Sequence, residues 1–141
     1  MDRQDFLQLR TLPGKRIDGD VEFEVVAAKA PLLVLRPVDV KNAGGLTIRL
    51  CGHYHRKYDS VTYSFDCQEA GGPICRVDVR GTMHKQAGRT HKHDLHVDTD
   101  PSNNLPQAVA RLDLVNLTPR LVWQDLCQRA NLIHAGQFID P

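Results

Sequence analysis

A chain of 141 residues with 41% hydrophobic and 25% charged side chains is sized for one domain with a real core. Its 18 Lys and Arg against 17 Asp and Glu leave a formal charge of +1, which excludes a global electrostatic pull towards nucleic acid. No run of about 18 apolar residues occurs, so no membrane-spanning segment is expected. Met1-Asp2-Arg3-Gln4-Asp5 lacks the apolar core of a signal peptide, and a cytoplasmic location is the expectation.

In chain order, Phe6, Leu9 and Leu12 predict a short helix over residues 2–12, stopped by Pro13-Gly14. Residues 20–28 alternate Val21, Phe23 and Val25 with Glu22 and Glu24, the period of a strand. Leu32-Leu33-Val34-Leu35, bounded by Pro31 and Pro37, predicts a short buried or edge strand. Four strands joined by turns follow. The first runs from Leu46 to Leu50 with a continuation towards His55, and the second covers Val61-Thr62-Tyr63-Ser64-Phe65. The third is Ile74 to Val79 and the fourth His93 to Asp98. Beyond Asp100-Pro101 the pattern turns helical. Leu105 to Leu112 predicts one short helix, and Thr118-Pro119 caps another reaching Asn131, with Val122, Leu126, Ala130 and Ile133 on one face. The Gly- and Asn-containing tail reads as a loosely held end.

The expected fold class is α+β: a single domain over residues 1–141, with a central antiparallel β-meander and an N-terminal helix and C-terminal helices packed on one side. Cys51, Cys67, Cys75 and Cys127 show no C-x-x-C spacing and read as small buried hydrophobes rather than as disulfides or a zinc knuckle.

Six of the seven histidines lie between His53 and His96, three of them in Thr90-His91-Lys92-His93-Asp94-Leu95-His96. Imidazole is the one side chain whose ordinary pKa lets it exchange protons or bind metal near neutral pH. Period-2 geometry sends Cys51, His53 and His55 to the face opposite Ile48 and Leu50, unless Gly52 bulges. A polar sheet face can then collect His53, His55, Arg76, Asp78, Asp94 and His96. Three uses of such a face compete. Acid–base cleavage of a phosphodiester needs one imidazole to take a hydroxyl proton, another to protonate the leaving oxygen, and cations for the phosphorane. Metal binding can start from His91-x-His93 with Asp94 or His96, but Leu95 occupies the place of a third ligand on that face. Histidines that merely satisfy backbone groups on a wet sheet are the third. The leading expectation is a small toxin-like or defence-related intracellular effector with a metal-independent, cofactor-free ribonuclease site. His91 and His93 are its acid and base, His84 and His96 further catalytic candidates, and Arg76, Arg80, Lys92 and Asp78 hold substrate. The Lys-, Arg- and Gly-containing segment from Thr82 to Thr90 is expected to be a loop able to close over a charged ligand.

From Arg76-Val77-Asp78-Val79 to Thr90-His91-Lys92-His93 the chain resembles a group of short bacterial proteins with an N-terminal helix, a β-meander and a T-H-K-H signature. Asp5-Phe6-Leu7, Lys15-Arg16-Ile17, Gly19-Asp20-Val21-Glu22-Phe23 and Leu126-Cys127-Gln128-Arg129-Ala130-Asn131 fit the same group, so the likeness spans residues 1–132. More distantly, Arg76, Asp78, His84, His91, Lys92 and His93 stand where the TumE-like toxins of toxin–antitoxin pairs carry an Arg-x-Asp, a His and a His-Lys-His run. The chain departs from both patterns. Asp94-Leu95-His96 follows His93 where the first group has a basic residue and an aromatic, and the paired histidines that TumE-like proteins show before the H-K-H are missing. The resemblance implies a small intracellular effector that acts on RNA and is held by a cognate antitoxin. A non-enzymatic, protein-binding inhibitor carried by a phage or mobile element, docking through its sheet edge or last helix, is the alternative expectation.

Overall fold

The computed structural model describes residues 8–9, 12–81, 88–94 and 107–141. In chain order its elements are β1 (Lys15–Ile17), β2 (Phe23–Val25), β3 (Leu33–Leu35), β4 (Val38–Val40), β5 (Ile48–His55), β6 (Ser60–Cys67), β7 (Gly72–Val79), β8 (His91–Asp94), β9 (Gln107–Ala110), α1 (Pro119–Arg129) and β10 (Leu132–His134). Among the described residues two short 3-10 turns, Ala27–Lys29 and Leu112–Leu114, interrupt the connections. An eight-stranded antiparallel sheet in the order β2-β3-β5-β6-β7-β8-β9, with β4 also on β5, forms the body of the protein. β1 and β10 make a separate parallel pair.

The long central strands follow from alternating β-branched and aromatic residues such as Val61-Thr62-Tyr63-Ser64-Phe65, closed by turns that need left-handed backbone. Asp59 at φ 50° supplies that conformation before β6, and Gly71 at φ 76° supplies it before β7. β5 pairs with β6 residue for residue from Ile48↔Cys67 to His55↔Ser60, so Gly52 is not bulged. Gly52 instead permits a close approach: a Cβ there would lie 2.3 Å from the Thr62 carbonyl oxygen. The register shift falls at Phe65/Asp66, on the far end of β6. β3 and β4 share one edge of β5, parted by Arg36-Pro37, because proline has no N–H to give the ladder.

Directly paired residues of an antiparallel sheet share a face. On one face Leu50, Tyr63, Phe65, Val61, Val77 and Val79 are buried under α1, which brings Val122, Trp123, Leu126 and the following Ala130. Trp123 is 2% exposed, with its ring 5.6 Å from Tyr63 and 6.3 Å from Phe65. The Tyr63 hydroxyl donates to the Pro119 carbonyl at 2.8 Å, tying the helix N-terminus to the sheet. Thr118 caps that end by accepting from Leu121 N at 3.3 Å, ahead of Pro119.

The central antiparallel sheet matches the expected one, but the helical complement is smaller. Of the helix expected over residues 105–112, the described part, residues 107–112, is instead the edge strand β9 followed by the start of a 3-10 turn, because pairing with β8 outweighs the helical preference of Gln107, Ala108 and Ala110. The N-terminal helix expected over residues 2–12 lies largely outside the described residues, of which positions 8 and 9 are helical. The described helical layer is therefore α1. Nor is the tail loose: β10 pairs with β1, Val21 N donates to Gln137 O at 2.8 Å, and Phe138 is buried. Arg120 holds Asp140 at 2.8 Å and donates to the Phe138 carbonyl. Among the described residues no helix is long and apolar enough to cross a membrane.

Candidate functional site

The face of the sheet opposite α1 carries a polar row. Register sets Val34 beside His53, His53 beside Thr62, Thr62 beside Asp78, and Asp78 beside His91. A parallel row runs Cys51, Ser64, Arg76 and the backbone position of His93. His55 opposite Ser60 begins a third.

Asp78 is the anchor of the first row. It is buried, accepts from Thr62 Oγ1 at 2.6 Å, and takes Arg76 Nε at 3.0 Å on one oxygen and Nη2 at 3.1 Å on the other. These donors and the guanidinium take the place of the hydration that burial removes from the carboxylate. His91 closes the row from the far side, with Nε2 3.5 Å from Asp78 Oδ2. Its Nδ1 lies 3.1 Å from the Gly88 carbonyl, and since that oxygen can only accept, Nδ1 carries the proton. His91 is 1% exposed and thus props the Asp78–Arg76 pair from within rather than meeting solvent.

At the other end the row opens into a cleft of about 840 Å³. Its walls carry His53, His55, Arg76, Arg80, Arg89 and Asp78, so three guanidinium groups meet one carboxylate in a chain of near-zero net charge. Thr62, Ser60 and Tyr58 add hydroxyls. His53 is half-buried, and its pKa is held below the ordinary imidazole value mainly by desolvation; the carboxylate of Asp78 opposes this and Arg76 adds to it. A neutral His53 at neutral pH follows. Residues two apart on a strand stand about 7 Å apart, so His53 and His55 can flank a single phosphoryl group. His55 Nδ1 is enclosed without a hydrogen-bond partner among the described residues.

The sequence-derived candidates divide unevenly. Arg76 and Asp78 line the cleft, as do His53 and His55, which alternation had placed on the polar face without a catalytic role. His91 reaches the row but not the solvent. Positions 91 and 93 fall on the polar face, whereas 94 was expected there, because β8 pairs His91 with Asp78 and His93 with Arg76. Lys92 takes the opposite parity, paired with Val77, so it lies on the face away from the cleft and does not join Arg76. Arg80 lines the cleft but is a clamp: Nε donates to Asp59 O at 2.7 Å, Nη1 to Val115 O and Nη2 to Leu117 O at 3.1 Å. Arg89 was legible only as part of a basic neighbourhood; it lines the cleft, is exposed, and donates to Gly81 O at 3.3 Å. His84, His96 and most of the 82–90 loop lie outside the described residues.

No three His, Cys, Asp or Glu side chains among the described residues converge as a metal would require. None of the four cysteines is in a disulfide. Burial raises the thiols of Cys51 and Cys67, and pushes Cys127 up to about 12. No protein-family model, curated protein or solved structure matches this chain.

Proposed function

We propose that the cleft binds and cleaves an RNA phosphodiester without a metal, His53 and His55 exchanging the protons. The observation that carries this reading is the convergence of two imidazoles with an arginine-rich lining on a recessed polar sheet face. His53, kept neutral by burial, takes the proton of the ribose 2′-hydroxyl as that oxygen bonds to phosphorus. His55 gives its proton to the departing 5′-oxygen as the P–O5′ bond breaks, leaving a 2′,3′-cyclic phosphate. Solvent then restores the two rings. Arg76 and Arg89 face the charge that builds on the phosphorane, and Asp78 fixes Arg76 in that orientation. On this reading the protein is a small RNA-directed effector of toxin type, and a cognate antitoxin would act by covering the cleft.

The test is cleavage of single-stranded RNA by purified protein in a metal chelator. His53→Ala and His55→Ala are each expected to lower the rate by about 10²–10⁴-fold while folding normally. Cleavage undiminished in both variants, or no cleavage by the wild-type chain, contradicts the assignment.

A further inference from the structure

We infer that the turn between β5 and β6 is a stacking platform that makes the cleft select an unpaired nucleotide in a single strand. The inference rests on the cleft being a phosphodiester site. Tyr58 stands at its mouth, 60% exposed, where a large ring gains nothing from the core. The ring is not loose. His55 packs against it with centroids 4.7 Å apart at 39°, and Lys57 Nζ lies 5.4 Å from its centre. The turn beneath is pinned from both sides at Asp59: Tyr54 donates its hydroxyl to Oδ1 at 2.7 Å, and Arg80 donates to the carbonyl and pairs with Oδ2 at 3.2 Å. That explains why Arg80 sacrifices its guanidinium to the scaffold. It holds an aromatic face in place before any ligand arrives.

A rigid exposed ring beside cations, next to a cleft that suits phosphate, is the pairing that single-strand binders use. The base lies on the aromatic face and the backbone follows the positive charge. A duplex base, already stacked and paired, cannot reach such a ring without being extruded. Free inorganic phosphate would have no use for it.

Fluorescence anisotropy with a labelled single-stranded RNA of about ten nucleotides tests this, run beside a blunt duplex and a strand carrying abasic residues. To separate binding from cleavage, the 2′-hydroxyls are methylated. Tyr58→Ala is expected to weaken single-strand binding about tenfold, Tyr58→Trp to preserve it, and the abasic strand to be indifferent to both changes. Arg89→Ala should weaken all strands alike. If Tyr58→Ala binds as tightly as wild type while Arg89→Ala does not, the stacking platform is wrong and the phosphate cleft stands. If the wild-type chain binds none of the strands, both fail.

Discussion

Asp78→Ala is expected to destabilise the protein by about 3 kcal/mol, measured by urea or guanidinium unfolding. The carboxylate is buried and is the common acceptor for Thr62 and Arg76, with His91 at its back. Removing it strands a hydroxyl donor and leaves a guanidinium facing a ring, with no anion between them. The loss falls at the low end for a broken buried pair because the Arg76 side chain is 36% exposed and can turn into the cleft. Asp78→Asn keeps the shape and the Thr62 contact and should cost about half as much. A loss below about 1 kcal/mol for the alanine variant would mean that the row is not held together by this carboxylate. The same substitution frees Arg76, so cleavage should fall through misplacement of that guanidinium while the affinity for anionic strands does not fall.

Trp123→Ala is expected to cost about 3–5 kcal/mol, a large share of the stability of an ordinary domain. Trp123 fills the space between α1, the apolar face of β6 and the C-terminal segment, against Tyr63, Phe65 and Phe138. Its Nε1 donates to His134 Nδ1 at 3.1 Å, which leaves Nε2 of that ring to donate to the Gly19 carbonyl at 2.9 Å. One side chain thereby joins the helix to the β1–β10 pair. Trp123→Phe should restore most of the packing but not the indole hydrogen bond. The chain has one tryptophan, so unfolding of these variants has to be followed by circular dichroism.

How much of this could be read from the residues depends on which force decided each element. The central strands were legible because alternation was strong: Val61, Tyr63 and Phe65 inward, Thr62 and Ser64 outward. β1 and β10 were not, since both are three residues long and β1 starts with a lysine that is buried. Lys15 spends its ammonium on the carbonyls of Leu9 and Leu12, and burial drops its pKa to about 8. β9 was misread because tertiary pairing, not local preference, made Gln107–Ala110 a strand. Within the site the polar face of β5 was correctly drawn through His53 and His55. The register of β8 depended on which residue met Asp78, which no local pattern specifies. His91 looked catalytic for its chemistry, yet its burial between Gly88 and Asp78 is a fact of packing.

The proposal predicts a pH signature of definite sign. His53 in the fold has a pKa below the ordinary imidazole value of about 6.5, so the unfolded chain binds more protons in that window. Its contribution to stability is present above 6.5 and is lost as pH falls towards the folded pKa. An RNA phosphate in the cleft should pull that pKa back up, because a nearby anion favours the imidazolium. The most direct measurement is a ¹H–¹⁵N NMR titration of the histidine rings with and without a non-cleavable single-stranded RNA. The expected result is a His53 midpoint below 6.5 that rises on adding RNA. The His55 signals should move with it, and His134, behind the core, should stay still. His53 and His55 resonances that ignore the RNA while the strand binds elsewhere would contradict the site.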